Sequence, residues 1–173
     1  FLGSVGAGVF VLTHDQGKGT YQARQLPDRG NNALSNNNIR FVHADQDHNI
    51  WIGTNKGINY LPGKDINSKQ FNIQHQFVNL SFTGICESEN ELWFGTEESG
   101  IIIYDKIEAQ FRFINRETFA GFPSDRVSQL YLTSTGRIIA GFSGNGVMIS
   151  DTDRKNWNRV PFHGKSLTGV YED

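Results

Sequence analysis

Three groups of residues in this chain carry enough chemistry to build a site. The first is Asp45-Gln46-Asp47-His48-Asn49, which spaces three side-chain oxygens two residues apart, as a calcium loop does. Ile50 stands where such a loop needs its sharp-turn glycine, and Lys56 stands where it needs a bidentate Glu. Asp and Asn at this spacing also close tight turns on their own backbone, and a turn is what this sequence predicts. The second group is Trp51 and Trp93, whose ring faces could stack on a sugar. Both lie two residues before a glycine, at a repeated position. That placement predicts packing in the core, where aromatic rings bury most area. The third group consists of hydrogen-bonding side chains on loops: Asn37, Asn38, Arg40, Asn55, Lys56, Glu97, Glu98 and Arg126. These are the candidate ligand-binding residues, suited to a polar sugar or a sulfate. Asn36-Asn37-Asn38 also has a simpler use, since Asn supplies turn geometry.

No catalytic constellation, metal site or cofactor site emerges from the remaining motifs. Gly3-Ser4-Val5-Gly6-Ala7-Gly8 and Gly141-Phe142-Ser143-Gly144-Asn145-Gly146 are glycine-rich, but neither gives a dinucleotide fingerprint or a P-loop. Ser143 lacks the flanking glycine of a nucleophile elbow. His14, His43, His48, His75 and His163 show no metal-ligand spacing. Acidic residues are plentiful without forming an evident acid and base pair. Cys86 is the only cysteine, so no intramolecular disulfide forms, and its strand position predicts a buried, inert thiol. Asn79-Leu80-Ser81 is a sequon that matters only in a eukaryotic secreted protein.

The elements that must position these residues repeat. Ile50-Trp51-Ile52-Gly53-Thr54 returns as Leu92-Trp93-Phe94-Gly95-Thr96, then as Ile138-Ile139-Ala140-Gly141-Phe142, and Phe1-Leu2-Gly3-Ser4 is a further copy. The interval is roughly 40–50 residues, as in four-stranded propeller blades. Before each copy runs a strand-like segment: Ile39–Asp45, Phe82–Ser88 and Val127–Thr133, with Leu167–Asp173 as a fourth. Ile39, Phe82, Val127 and Leu167 share one apolar column; Val42, Ile85, Leu130 and Val170 share another. After each copy a second glycine (Gly8, Gly57, Gly100, Gly146) opens a third strand, and an aromatic (Tyr21, Phe71, Phe111, Trp157) opens a fourth. Trp157 and its column are expected to pack at the blade edge. β-Branched and aromatic residues, alternation and Gly/Asn/Asp punctuation favour strands throughout. The predicted fold is therefore all-β, a β-propeller of four-stranded antiparallel blades. Its repeats run about 1–33, 34–77, 78–121 and 122–166, with the start of another at 167–173. A β-sandwich would not need a repeated Trp-x-Gly. Four blades could close as a ring, or form an arc of a ring of six to eight. The arc is favoured because four blades lie at the low end of propeller sizes.

Charge and length bound the function. Net charge is −2 with Lys and Arg dispersed, which argues against nucleic acid as a partner. The longest apolar runs fall far short of the ~20 residues of a membrane helix. The chain begins and stops within repeats, and is expected to be part of a longer protein.

Leu34-Ser35-Asn36-Asn37-Asn38-Ile39-Arg40, followed by Asp45-Gln46-Asp47-His48-Asn49-Ile50-Trp51-Ile52-Gly53-Thr54 and Lys56-Gly57-Ile58-Asn59-Tyr60, resembles the two-component regulator propeller repeat. Leu92–Thr96 through Ile103-Tyr104-Asp105 matches nearly as well, and Phe122–Val127 resembles the loop that leads into a repeat. The copy around Gly141 departs from the pattern, with Ile139 in place of Trp. The resemblance implies a periplasmic sensor region of a hybrid two-component system of gut Bacteroidetes. It implies seven-bladed propellers, usually in tandem, followed by a β-sandwich, a membrane helix, a histidine kinase and a response regulator. It also implies recognition of oligosaccharides from glycan breakdown. No kinase, receiver or DNA-binding motif lies in this chain, and no family ligand contact transfers to a residue here.

The expected function is thus a non-enzymatic, periplasmic sensor module. Its expected partners are an oligosaccharide and neighbouring propeller or β-sandwich domains of the same protein, with a homodimer of the full-length protein as a further expectation. The alternatives are a protein-interaction scaffold and, ranked last, a polysaccharide lyase or glycosidase using Glu97 or Glu98.

Overall fold

The computed structural model describes residues 1–66, 73–162, 164 and 167–172. Among the described residues the structure is all-β apart from one 3-10 turn at Gly63–Asp65. Its strands are β1 (Leu2–Gly3), β2 (Val9–Asp15), β3 (Thr20–Gln25), β4 (Ile39–Ala44), β5 (Ile50–Thr54), β6 (Gly57–Leu61), β7 (Gln74–Gln76) and β8 (Phe82–Glu87). They continue with β9 (Glu91–Thr96), β10 (Ile101–Asp105), β11 (Gln110–Ile114), β12 (Val127–Leu132), β13 (Ile138–Phe142), β14 (Gly146–Ser150) and β15 (Trp157–Val160). They pair in chain order as one three-stranded and three four-stranded antiparallel sheets, β1–β3, β4–β7, β8–β11 and β12–β15. These are propeller blades. The chain divides into two compact units, Phe1–Phe82 and Thr83–Asp173.

In the first unit, Val9, Val11, Leu26, Leu34, Ile39, Ile50, Ile52, Leu61 and Ile73 form the core. In the second, Trp93, Ile101, Ile103, Phe122, Val127, Leu130, Ile138, Ala140, Phe142, Met148 and Trp157 do so. The second strands β5 and β9 are buried from Ile50 to Thr54 and from Leu92 to Thr96. Strands covered on both faces carry continuous apolar runs instead of alternation, and the repeated Ile-Trp-Ile and Leu-Trp-Phe are such runs.

The two repeated glycines have separate jobs. At the first, a side chain would collide with a first strand, its own sheet's, the next sheet's or both. A Cβ on Gly95 would lie 2.7 Å from Thr83 Oγ1 and 3.0 Å from Val127 Cγ1. At the second, the hairpin turns through left-handed backbone, with φ of 75° at Gly100, which glycine adopts without steric cost. An aspartate ends the third strand in two repeats and directly follows it in another. Asp15, Asp105 and Asp151 each accept backbone N–H bonds from the following turn.

Trp157 stands on β15, the outer strand of its sheet, and packs there as expected, but with its ring turned into the core. It is 7% exposed, in the core with Trp93 and Phe122, their ring centroids 6.3 and 6.1 Å away. Tyr21 in the same column is 71% exposed and rests on His14, while Phe71 lies outside the described residues. Leu167–Glu172 forms no strand. It is tethered by side chains, with Leu167 against Gly141 and the Glu172 carboxylate accepting from Ser134.

Candidate functional site

In an antiparallel meander, the loop between second and third strands and the loop leaving the fourth strand lie at the same end of the sheet. All eight candidate side chains belong to this end, and the backbone there follows a repeated rule. The carbonyl two residues before the first strand accepts the N–H of the second glycine. Asn37 serves Gly8 at 3.2 Å, Leu80 serves Gly57 at 2.7 Å, and Asp125 serves Gly100 at 2.9 Å. The next carbonyl reaches the following hairpin, with Asn38 accepting from Asn55 at 3.3 Å and Arg126 from Ser143 at 3.2 Å.

The hairpin is closed by the residue after Gly53 or Gly95. Thr54 Oγ1 donates to the Gly57 carbonyl and accepts from Lys56 N–H, at 2.8 and 3.0 Å. Thr96 Oγ1 does the same with Gly100 and Ser99, at 2.8 and 2.9 Å. That accounts for Thr in Trp-x-Gly-Thr. In the fourth copy, where Phe142 replaces Thr, the hairpin is closed by Asn145, whose N–H donates to the Phe142 carbonyl at 3.1 Å and whose Nδ2 donates to the Ser143 carbonyl at 2.9 Å.

In the first unit the structure brings Asn38 and Asn55 together through their backbones. Asn36 uses its side chain as a turn acceptor for Asn38 N–H at 2.8 Å, so the triple Asn does supply turn geometry. Asn37 fills the space beside Gly8. Lys56 is exposed. Arg40 is also exposed, and sits where the β4–β5 register shifts between Ile39 and Phe41. A bulge there re-aims the side chain. Asn55 Oδ1 is buried with no hydrogen-bond partner among the described residues. In the second unit Glu97 is half-buried and Glu98 exposed, adjacent on one hairpin, while Arg126 is exposed at the start of β12.

The opposite end of the sheets answers the calcium and stacking questions. Asp45 is 5% exposed. Its Oδ1 accepts from Asp47 N–H, Asn49 N–H and Asn49 Nδ2, and its Oδ2 from Asn49 Nδ2 and from Trp51 Nε1 at 2.8 Å. Both oxygens are turned to N–H donors, so this motif is a turn that also anchors a tryptophan. Trp51 and Trp93 are 4% and 0% exposed, so neither ring is open to a sugar, and Trp93 belongs to the second core. Trp93 Nε1 donates to Glu91 Oε2 at 3.0 Å. Glu91 also pairs with Arg112, which lies over the Trp93 ring, and with Arg154 at 2.7 Å. Arg154 further binds Ser88 Oγ and the Gly136 carbonyl, both at 3.1 Å. Nearby, burial pushes the Cys86 thiol up to about 12, with Arg154 pulling weakly the other way. As a residue Cys86 is only half-buried, where the sequence predicted a buried thiol.

Two clefts are formed by described residues of the second unit. One, about 410 Å³, lies at the anchor end, between Glu89, Asp105, Asp153 and Arg154. The other, about 420 Å³, lies at the loop end, between the β13–β14 hairpin and the segment after β15. Arg159 and Phe162 line the loop-end cleft, and neither was among the sequence candidates. The loop Ser143–Asn145 and residues Pro161 and Phe162 belong by topology to the loop end, but Arg159 sits on a fourth strand, where spacing gives no hint. His163 and Ser166 lie outside the described residues.

Residues 33–56 match the family described as the two component regulator propeller. No curated protein matches the chain. Among solved structures, the chain is similar to the extracellular domain of BT3049 of B. thetaiotaomicron, described as a hybrid two component system. The TM-score is 0.71 at 19% identity, covering 90% of this chain and 23% of that one. The extracellular domain of BT4673 from the same organism gives 0.67 at 19% identity, covering 84% and 21%. PorZ of Porphyromonas gingivalis, a surface component of the type-IX secretion system, gives 0.63 at 15% identity, covering 87% and 27%. The chain thus spans about a quarter of the length of these proteins, and the likeness is one of fold.

Proposed function

We propose that this chain, which carries the two component regulator propeller repeat, is a non-enzymatic ligand-binding segment of an extracytoplasmic sensor for oligosaccharides. The observation that carries this reading is the repeat match at residues 33–56, placed on blades whose loop ends are secured by backbone hydrogen bonds. Side chains such as Asn37, Lys56, Glu98 and Arg126 are thereby released from holding the fold. Two of the similar structures are extracellular domains described as parts of component-system regulators, which supports sensing over catalysis. Binding would be transmitted by altered packing between this segment and its neighbouring domains.

A thermal-shift screen of the full-length extracytoplasmic region against oligosaccharides of several glycan classes tests it. A ligand-specific rise in Tm is expected, since a ligand that binds only the folded state raises its stability by mass action. No rise with any sugar would remove the glycan-sensor reading.

A protein-interaction scaffold is the second reading. It is favoured by β3, which is exposed at every residue and carries Tyr21. A stable protein partner lost on Tyr21→Ser, with no sugar binding, would establish it.

A further inference from the structure

The loop-end cleft of the second unit has a composition that the other loops lack. Its floor is the turn Gly144-Asn145-Gly146, with φ of 73° and 88° at the two glycines. A Cβ on Gly144 would meet nothing within 4 Å, so the space above it is open. The guanidinium of Arg159 lies on the bare α-carbon of Gly146, with Nη2 3.7 Å from where a Cβ would stand. Arg159 donates one hydrogen bond, to the Asn145 carbonyl at 3.1 Å, and pairs with no carboxylate among the described residues. No acidic side chain lines the cleft among those residues. Phe162 is 37% exposed, and its ring is folded over Gly164, where a side chain would collide with it. Among the described residues the cleft therefore offers a planar cation without a carboxylate partner, a carbonyl-bearing turn and an exposed aromatic ring.

A guanidinium fork matches the two oxygens of a carboxylate or sulfate. An aromatic face beside polar groups suits a ring with one apolar side. We infer that this cleft is a subsite for an anionic sugar, a pyranose bearing a carboxylate or a sulfate. Arg159 holds the oxyanion and Phe162 takes the apolar face of the ring. The inference rests on the glycan-sensor reading and adds to it a place and a charge.

The test is an NMR titration of the full chain, following the Gly144, Asn145 and Gly146 amides. The probes are glucuronate, glucose 6-sulfate, glucose and inorganic sulfate. Saturable shifts with one or both charged sugars and none with glucose are expected, and which of the two binds identifies the anion. Arg159→Gln should weaken binding about ten- to a hundredfold, the worth of a charge-assisted pair. Phe162→Ala should weaken the sugars while leaving inorganic sulfate unchanged. Both positions are solvent-accessible, and an unchanged amide spectrum elsewhere certifies the fold of each variant. Charged sugars that leave these amides unmoved overturn the subsite, as does binding indifferent to Arg159→Gln. Inorganic sulfate binding as tightly as the sugars, with Phe162→Ala without effect, overturns the sugar part. Neutral glycans binding elsewhere would sink the subsite and leave the sensor reading standing. No glycan binding anywhere in a broad panel would sink the sensor reading itself.

Discussion

Trp51 and Trp93 occupy the same place in two repeats, and each needs an acceptor for a buried indole N–H. The two sheets satisfy that need by different wiring. Asp45 lies six residues before Trp51, and its carboxylate serves only its own turn and that indole. Glu91 lies two residues before Trp93 and shares its carboxylate with Arg112 on β11 and with Arg154 after β14. The first anchor closes on itself within one blade. The second is a joint between two blades, made by a side chain 63 residues away in sequence. One repeat can thus keep its ring buried by local geometry while another recruits its neighbour. The difference predicts which substitutions stay local and which loosen the packing of adjacent sheets.

The largest effect tests what the two sites have in common. Trp51→Ala and Trp93→Ala should each cost about 3–5 kcal/mol, the range for emptying a large aromatic site, read from urea unfolding. A loss below about 1 kcal/mol at either would mean that its ring is not a core element. The anchors themselves should then separate. Asp45→Ala strips an acceptor from several N–H groups at once and should cost about 2–3 kcal/mol, with no dependence on salt. Glu91→Gln should cost about 1–2 kcal/mol and should lose most of its effect in high salt. A double-mutant cycle of Glu91→Gln with Arg154→Gln sharpens the contrast. A coupling of about 1 kcal/mol is expected, and strict additivity would deny the joint.

The thiol beside that joint supplies a pH test. The folded state keeps the Cys86 proton up to about 12, whereas an unfolded thiol gives it up near 8.5. The contribution is therefore complete below the unfolded pKa and is lost as pH rises through the folded one. Stability should fall between those values, and Cys86→Ala should flatten the slope. Labelling of Cys86 by a thiol reagent at pH 8 should track global unfolding; fast labelling of the folded chain would show an open sulfur. The smallest effect belongs to Asp151, whose carboxyl is held below its ordinary value, first by the Asn156 side chain and then by backbone N–H bonds. Its stabilising effect is present above the unfolded pKa and fades as pH falls through the folded one. An NMR titration should show the midpoint moving up in Asn156→Ala.

How much of this could be read from the chain alone follows from the range of each interaction. The hairpin glycines, the Thr that closes the turn and the first-strand column Ile39, Phe82 and Val127 act within a few residues or at a fixed repeat offset, so spacing exposes them. The Asp45 turn is local too, and Asp/Asn turn chemistry gives it away. Its grip on Trp51 is less visible, because it depends on how the turn folds back over the strand. Arg154 reaching Glu91, and Arg159 settling on Gly146, depend on side-chain paths between strands and sheets, which no sequence interval encodes. The depth at which Trp157 packs was hidden for the same reason. Its column is aromatic in every copy, yet the ring of Tyr21 faces solvent while that of Trp157 meets Trp93 and Phe122. The eight loop candidates were placed at one end of the sheets by topology alone, which sets where a loop lies without saying what its side chains touch.

The carbonyls of Asn37, Leu80 and Asp125 belong to an amide, an aliphatic and an acidic residue, yet each receives the same glycine N–H. A main-chain acceptor is present whatever the side chain, so the latch between loop and hairpin is indifferent to composition. Such loops can be rewritten by mutation, or randomised in a library, at little cost to the scaffold. Proline at the donating glycine would be the exception, because it removes the one hydrogen on which the latch depends.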